Sequence, residues 1–522
     1  MPSLSTEHYA ANPNTVICKP PYPSQRILDS RNSVFARVKS GMTRWLDTSP
    51  IYAAVTSVGL AALGALSKSL CEYNSNQCNA STMNSINAIV YPTSLFLMLG
   101  LCHRWKHLPT SLILEPISKA LNLPFDFRKN MKEKVYEERS CIDEQGNVLG
   151  KVYYTKKDGN QIPVFEAMAT SPKDKGFAQG LLLAHEINDL YDRALSFMLF
   201  LIKTQDFDLW SEKIHDATNN LNIPEEQLLE MEGIVDGMRE YARRNQLPMK
   251  VSIDQLIEVH VLADTYKKVF FEMGCSAIIA KKGKEACVAR THDWISLGLL
   301  GQYTIINKQK GVDSKTGRPW STETMSFPGY LGTITGTNGK LTAVLNELGG
   351  ISYQQGIPET LITTLLLRQA ETVDEAEELL QSWLEKGDAN ILPASSSNII
   401  LVDSTGMAKV FHMYAQPGRF FVSNTYDQDG ILVVTNHAID DDGKVIPGSA
   451  SGKSSERRWQ LLKNSAEVSL SRNFPIKDIV RNALKQEGID VAHSVGAVIY
   501  SMGKEEVEID YAFDNYYSAS HL

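Results

Sequence analysis

The residues best equipped to do chemistry cluster around Cys275. Met273-Gly274-Cys275-Ser276 opens a compact apolar stretch running to Ala280. Lys281-Lys282-Gly283-Lys284 reads as a turn, and Ala286 to Arg290 as a second strand leading into Thr291-His292-Asp293-Trp294. A thiol nucleophile needs a base and charged neighbours. If the bond between Gly274 and Cys275 is cut, the released α-amino group sits on the nucleophile itself. Its pKa of about 8 lets it take the thiol proton at neutral pH, so no catalytic histidine is required. Arg290 and Asp293 follow Cys275 by fifteen and eighteen residues. The hairpin folds both back beside it, where Arg290 can favour the thiolate and Asp293 can orient the α-ammonium group.

Gly-Cys, a strand, a turn and Ala-Arg-x-x-Asp-Trp together resemble the cysteine branch of the N-terminal-nucleophile (Ntn) hydrolases. That superfamily includes penicillin acyltransferase, choloylglycine hydrolase, acid ceramidase and N-acylethanolamine acid amidase. Further segments are similar, in order, from about Gly176 to Asp510. Val344-Leu345-Asn346-Glu347-Leu348-Gly349-Gly350 resembles the family's Asn-Glu-x-Gly segment, which implies that Asn346 stabilises the oxyanion. Ala394 to Gly406 is similar to a strand-and-turn segment of the acyltransferase branch. Val433-Val434-Thr435-Asn436-His437 resembles its Thr-Asn-His segment, implying that Asn436 positions the nucleophile. Ser455-Glu456-Arg457-Arg458-Trp459 is like its Ser-x-x-Arg-aromatic segment, with Arg458 the favoured arginine and Arg457 the alternative register. Upstream, Gly176-Phe177-Ala178-Gln179-Gly180 and Ala184-His185-Glu186-Ile187 resemble the helix before the nucleophile. Thr291-His292 departs from the commoner Asn-Leu or Asn-Met.

The resemblance implies an α+β fold, a four-layer αββα sandwich with this chain's N-terminal extension added. It also implies self-cleavage before Cys275, a thioester during turnover, fragments that stay associated, and no cofactor or metal. The expected substrate is a small-molecule or lipid amide. Hydrolysis and transfer of the acyl group to an amine share every residue up to the thioester. Two further readings compete: an unprocessed, membrane-tethered binding module and a thiol esterase. Each residue also has a plainer role. Cys275 and Cys287 could be core cysteines, Arg290 and Asp293 a surface ion pair, and Asn346 a turn cap. His292 and His437 are expected to be structural, because the α-amino group already supplies a base.

The elements that must carry these residues lie in a chain of 522 residues, 43% hydrophobic, with a net charge of -8. That composition permits a large core and gives no reason for a nucleic-acid partner. The seven cysteines include no CxxC pair and do not suggest a disulfide framework. Gly452-Lys453-Ser454 lacks the earlier glycine of a phosphate-binding loop, because Pro447 stands there. No HExxH or GxSxG occurs.

Residues 1–45 read as a flexible polar tail rather than a signal peptide, and residues 46–107 as a hydrophobic hairpin. Ile51 to Ser67 and Ala88 to Cys102 are slightly short for spanning helices. Arg37, Lys39 and Arg44 precede them, and Arg104 and Lys106 follow. The hairpin therefore reads equally as a membrane anchor with both ends in the cytosol or as a buried helical pair. Residues 108–274 form the upstream part and residues 275–522 the catalytic part. Upstream, strands are predicted over Val148 to Tyr154 and Gln161 to Ala167. Helices are predicted over Gly176 to Leu201, from Pro224 onward, and over Val251 to Phe271. Downstream, hairpins alternate with helices over Glu359 to Lys386 and from Ser454, and a final hairpin spans Gly496 to Tyr511.

Overall fold

The computed structural model describes residues 15–17, 138–157, 160–191, 222–247, 251–261, 264, 274–293, 300–313, 316–348, 356–385, 393–416, 419–426, 429–438, 453–485, 494–503 and 507–512. All belong to one unit, Met1–Ser24 with Val135–Leu522. The hydrophobic hairpin lies outside the described residues. Among those described, no helix is long and apolar enough to cross a membrane.

The strands are β1 (Thr15–Ile17), β2 (Arg139–Ile142), β3 (Val148–Lys157), β4 (Asn160–Ala167), β5 (Gly274–Lys282), β6 (Glu285–Asp293), β7 (Ile305–Val312) and β8 (Pro319–Ser326). They continue as β9 (Thr335–Thr337), β10 (Leu341–Glu347), β11 (Ser397–Asp403), β12 (Ala408–Gln416), β13 (Arg419–Tyr426), β14 (Gly430–Val434), β15 (Ser494–Met502) and β16 (Glu508–Ala512). The described helices are α1 (Pro172–Leu182), α2 (Ala184–Leu190), α3 (Glu225–Asn245), α4 (Ile253–His260), α5 (Glu359–Gln369), α6 (Val373–Glu385), α7 (Lys453–Ser471) and α8 (Ile476–Leu484). One sheet has eleven strands in the order β1-β2-β3-β4-β7-β8-β9-β10-β11-β12-β13, and the other has five, β14-β5-β6-β15-β16.

Side-chain alternation explains the layering, since successive residues of a strand face opposite sides of its sheet. On β5, Ile278 and Ala280 pack with α7 and α8 through Leu462, Ile479, Val480 and Ala483. Ala277 and Ile279 face the other way, against Val344, Ile400, Val402 and Val410 of the larger sheet. On β10, Leu341, Ala343 and Leu345 turn outward to Leu361, Leu366, Val373 and Leu380 of α5 and α6. The order is helix, sheet, sheet, helix, consistent with the expected αββα sandwich. Because both faces of β5 and β10 are covered, these strands read as continuous apolar runs.

Two predicted helices are each broken. The run from Gly176 begins earlier, at Pro172, where Ser171 accepts the Asp174 amide, and it stops at Leu183, whose φ of -111° and ψ of 17° leave the helical region. The run from Glu359 breaks at Ala370, which is extended. The Thr372 hydroxyl then accepts the Glu375 amide at the start of α6. Thr372-x-x-Glu375 is a helix-start signature present in the sequence. The predicted turn at Lys281 to Lys284 is tighter than expected. Lys282 pairs with Glu285, leaving two turn residues, with Gly283 at a φ of 62°. Cys141 on β2 is disulfide-bonded, which its spacing did not foretell.

The bond before Cys275 does not divide the fold. Strand β4, upstream of it, pairs in parallel with β7, downstream, with Val164 opposite Ile306. Gln309 on β7 donates to Glu230 of α3 at 2.6 Å and accepts from Arg368 of α5 at 2.8 Å. Helices α1 and α3 meet backbone to backbone. A Cβ on Gly176 would lie 1.9 Å from the Glu230 carbonyl oxygen, and one on Gly237 would lie 2.2 Å from that of Phe177.

Candidate active site

The β5–β6 register sets the first contact. Cys275 lies opposite His292 and Ala277 opposite Arg290, so all four side chains share the face toward the larger sheet. Arg290 is therefore diagonal to Cys275, and its Nη2 lies 3.1 Å from Sγ. The guanidinium, 1% exposed, is fixed by the opposite sheet. Nη2 donates to the Leu345 carbonyl at 2.7 Å and Nη1 to the Thr335 hydroxyl at 2.5 Å. An arginine stays charged under all ordinary conditions, so a permanent positive charge stands against a buried thiol.

A second pair holds the backbone of the same cysteine. The Cys275 amide donates to Asn436 Oδ1 at 2.8 Å. Arg458 Nη1 donates to the Cys275 carbonyl at 2.7 Å and to the Ser276 hydroxyl at 2.8 Å, while its Nη2 reaches Asn436 Oδ1 at 2.9 Å. Asn436 follows β14 and is itself anchored. Its Nδ2 donates to the Glu347 carbonyl at 2.8 Å, and its amide to Ser455 Oγ at 2.9 Å. Helix α7 thus supplies Ser455 and Arg458 on one face, three residues apart. Arg457, the alternative register, is exposed, whereas Arg458 is buried.

The remaining expected site residues are placed differently. Asn346 is wholly buried on β10, between Leu345 and Glu347, whose carbonyls serve Arg290 and Asn436. Its Nδ2 donates to the Val434 carbonyl at 3.0 Å, and its Oδ1 accepts nothing among the described residues. Asp293 ends β6 opposite Gly274, at the bond expected to break; its side chain lies outside the described residues. Cys287 faces the helices and packs in their core, as an ordinary core cysteine does.

Both nearby histidines are neutral at neutral pH. Burial, and then the Arg290 charge, push His292 well below its ordinary value. Burial, then Arg458 and His412, bring His437 down to about 4. His437 Nδ1 lies 2.9 Å from Ser455 Oγ. Sequence reasoning missed this support, and also Asn398, which donates to the Thr435 and His437 carbonyls at 3.1 and 2.9 Å and so fixes the turn carrying Asn436. Asn398 stands in the Ser-Ser-Ser-Asn segment, which is the signal that could have found it. Among the described residues, no group of three or more His, Cys, Asp or Glu could hold a metal ion.

These shifts carry a stability consequence. His260 of α4 is also buried and lowered to about 4. When the folded value lies below the unfolded one, the unfolded chain takes up the proton first. The stabilisation is therefore complete above about pH 6.5 and is lost as pH falls toward 4. His260 and His437 each contribute up to roughly 3 kcal/mol over that window. The thermal midpoint is expected to fall by several degrees between pH 7 and pH 4.5. A flat profile in differential scanning calorimetry would contradict it.

Residues 280–493 match the family model described as acyl-coenzyme A:6-aminopenicillanic acid acyl-transferase. The matched stretch contains Arg290, Asp293, Asn346, Asn436 and Arg458. The chain is also similar to protein dcd1A of Dictyostelium discoideum, with 23% identity over 266 residues, 46% of this chain. It spans 57% of that relative's length.

Proposed function

We propose, for a chain whose residues 280–493 form an acyltransferase-family domain of the Ntn hydrolase superfamily, that it cleaves itself before Cys275 and then acts on a linear amide through a thioester at that residue. The family supports acyl transfer or amide hydrolysis in general; the narrower reading rests on the site. One observation carries it: all three functional groups of Cys275 are held at once. Arg290 lies against the thiol, Asn436 accepts from the nitrogen, and Arg458 donates to the carbonyl.

In self-cleavage, the Cys275 sulfur attacks the Gly274 carbonyl carbon. The C–N bond breaks, the thiol proton passes to the nitrogen, which becomes a free amine, and water hydrolyses the Gly274 thioester, leaving the Gly274 carboxyl group and restoring the thiol. Asn436 Oδ1, which accepts from the peptide N–H before the cut, then accepts from the α-amine. In turnover, that amine takes the thiol proton and gives it to the departing amine of the substrate. Water releases the acid, or a second amine takes the acyl group. Asp293 orients the α-ammonium. Asn346 is the oxyanion donor, its Nδ2 turning from the Val434 carbonyl toward the substrate oxygen. Lipid amides such as ceramides and N-acyl amines are the first substrates to test. The contacts of β4 with β7 and of Glu230 with Gln309 keep the fragments together.

Asn346→Ala tests the assignment against a purely structural asparagine. Removing one oxyanion donor is expected to cut amide turnover by roughly a hundredfold or more while leaving iodoacetamide labelling of Cys275 intact. Turnover is read as acid released, or as a new amide when an amine is added. A matched ester cleaved while the amide is untouched would favour the esterase. Loss of labelling together with turnover would mean that Asn346 only holds the fold.

A further inference from the structure

A row of polar side chains crosses the larger sheet where its face is otherwise apolar. In the paired register, Val344 of β10 lies opposite Ile400 of β11, and Ile400 opposite Val410 of β12. All three pack in the core between the two sheets. Two residues along each strand, and therefore on the same face, the next row is Asn346, Asn398 and His412, again directly paired. Each of these three is wholly buried. Burying such groups is costly unless their hydrogen bonds are made, so their partners say what the row holds.

The row grips the end of β14 and the turn beyond it. Asn346 Nδ2 donates to the Val434 carbonyl at 3.0 Å, and Asn398 Nδ2 to the carbonyls of Thr435 and His437 at 3.1 and 2.9 Å. That segment carries Asn436, whose Oδ1 accepts from the Cys275 nitrogen at 2.8 Å. Because Asn398 Nδ2 faces two carbonyl oxygens, its Oδ1 is the atom turned to His412. An amide oxygen only accepts, so His412 Nδ1 carries a proton and donates it, at 2.6 Å. His412 thereby keeps the Asn398 amide from turning over. The proposed chemistry adds to the demand on Asn398. Once Asn346 swings toward the substrate oxygen it releases Val434, and Asn398 remains as the row's hold on the segment.

We infer that His412 is a positioning residue: through Asn398 and Asn436 it sets where the nitrogen of Cys275 sits, and so the basicity of the amine that the cut releases. The inference rests on the proposed function, in which Cys275 is the nucleophile and its amine the base. An acceptor on an ammonium group favours the protonated form, so a displaced Asn436 leaves the amine with a lower pKa.

Two variants separate the donor from the filler. His412→Asn keeps an N–H near the place of Nδ1 but leaves a void. His412→Leu fills the space but cannot donate. A side chain that only fills the core ranks leucine above asparagine; the inference ranks them the other way. The first readout needs no chemistry. In full-length Cys275→Ala, deuterium exchange of the amide at position 275 is compared with that of Ile279 on the same strand. Adding His412→Leu is expected to speed exchange at position 275 roughly tenfold relative to Ile279, the scale of one hydrogen bond. Adding His412→Asn should speed it less. The second readout is turnover by the cut enzyme. His412→Leu is expected to lower kcat roughly ten- to a hundredfold with KM little changed, and to move the acid limb of the pH profile to lower pH. His412→Asn should restore part of both. A leucine variant that equals or outperforms the asparagine variant in either readout, or whose exchange and acid limb both match those of unchanged His412, overturns the inference. Wild-type protein that is never cut and cleaves no amide would instead sink the proposed function, and exchange at position 275 would alone decide whether His412 places the Cys275 nitrogen.

Discussion

Arg290→Ala is expected to slow iodoacetamide labelling of Cys275 at neutral pH by about tenfold or more, and to destabilise the fold by roughly 3 kcal/mol. The first effect follows from the charge. The guanidinium is 3.1 Å from Sγ and buried, and a nearby cation favours the thiolate, the reactive form. The second follows from the partners left behind. The Leu345 carbonyl and the Thr335 hydroxyl each lose a charged donor in a site where water does not replace it, and such bonds contribute about 1.5–3 kcal/mol. Arg290→Lys separates the two effects. It keeps a positive charge but cannot reach three acceptors with a planar fork. Labelling should recover in part, while the denaturation midpoint should stay low. Equal labelling rates in wild type and Arg290→Ala, measured on folded protein, would leave Arg290 with no role at the thiol.

The parts of this site that were legible in the sequence are the local ones. A hairpin with a glycine turn puts Cys275 and Arg290 on one face whatever surrounds it, so the spacing sufficed. The Asn436 and Arg458 contacts span 161 and 183 residues. They depend on how α7 meets the end of β14, which periodicity does not encode; resemblance to the family supplied them. The choice between Arg457 and Arg458 needed the buried face of α7. The direction of the Asn346 side chain needed the neighbouring strand, since Val434 of the other sheet captures its amide.

Helix boundaries failed where capping outweighs periodicity. Apolar spacing carries across Ala370 without interruption, yet Thr372 caps a new helix two residues later. The upstream region read as a separate part because the sequence changes character at Gly274. Its strands nevertheless belong to the larger sheet, through a parallel pairing of β4 and β7 that joins residues more than a hundred positions apart. Such long-range pairing leaves no short pattern to read.

Cys275→Ala is expected to remain one chain and to lose turnover by four or more orders of magnitude, roughly the scale seen when a nucleophile is removed. The alanine lacks the sulfur that attacks the Gly274 carbonyl, so the α-amino group is never released. Its fold should be kept, because Cys275 is 6% exposed and contributes a small side chain to a well-packed face. The most direct test of the central claim is N-terminal sequencing, with intact mass, of purified wild-type protein that shows activity, beside Cys275→Ala. The expected result is two co-purifying fragments in the wild type, the second beginning at Cys275, and a single full-length chain in the variant. A fully active wild type that consists only of the uncut chain would contradict the mechanism.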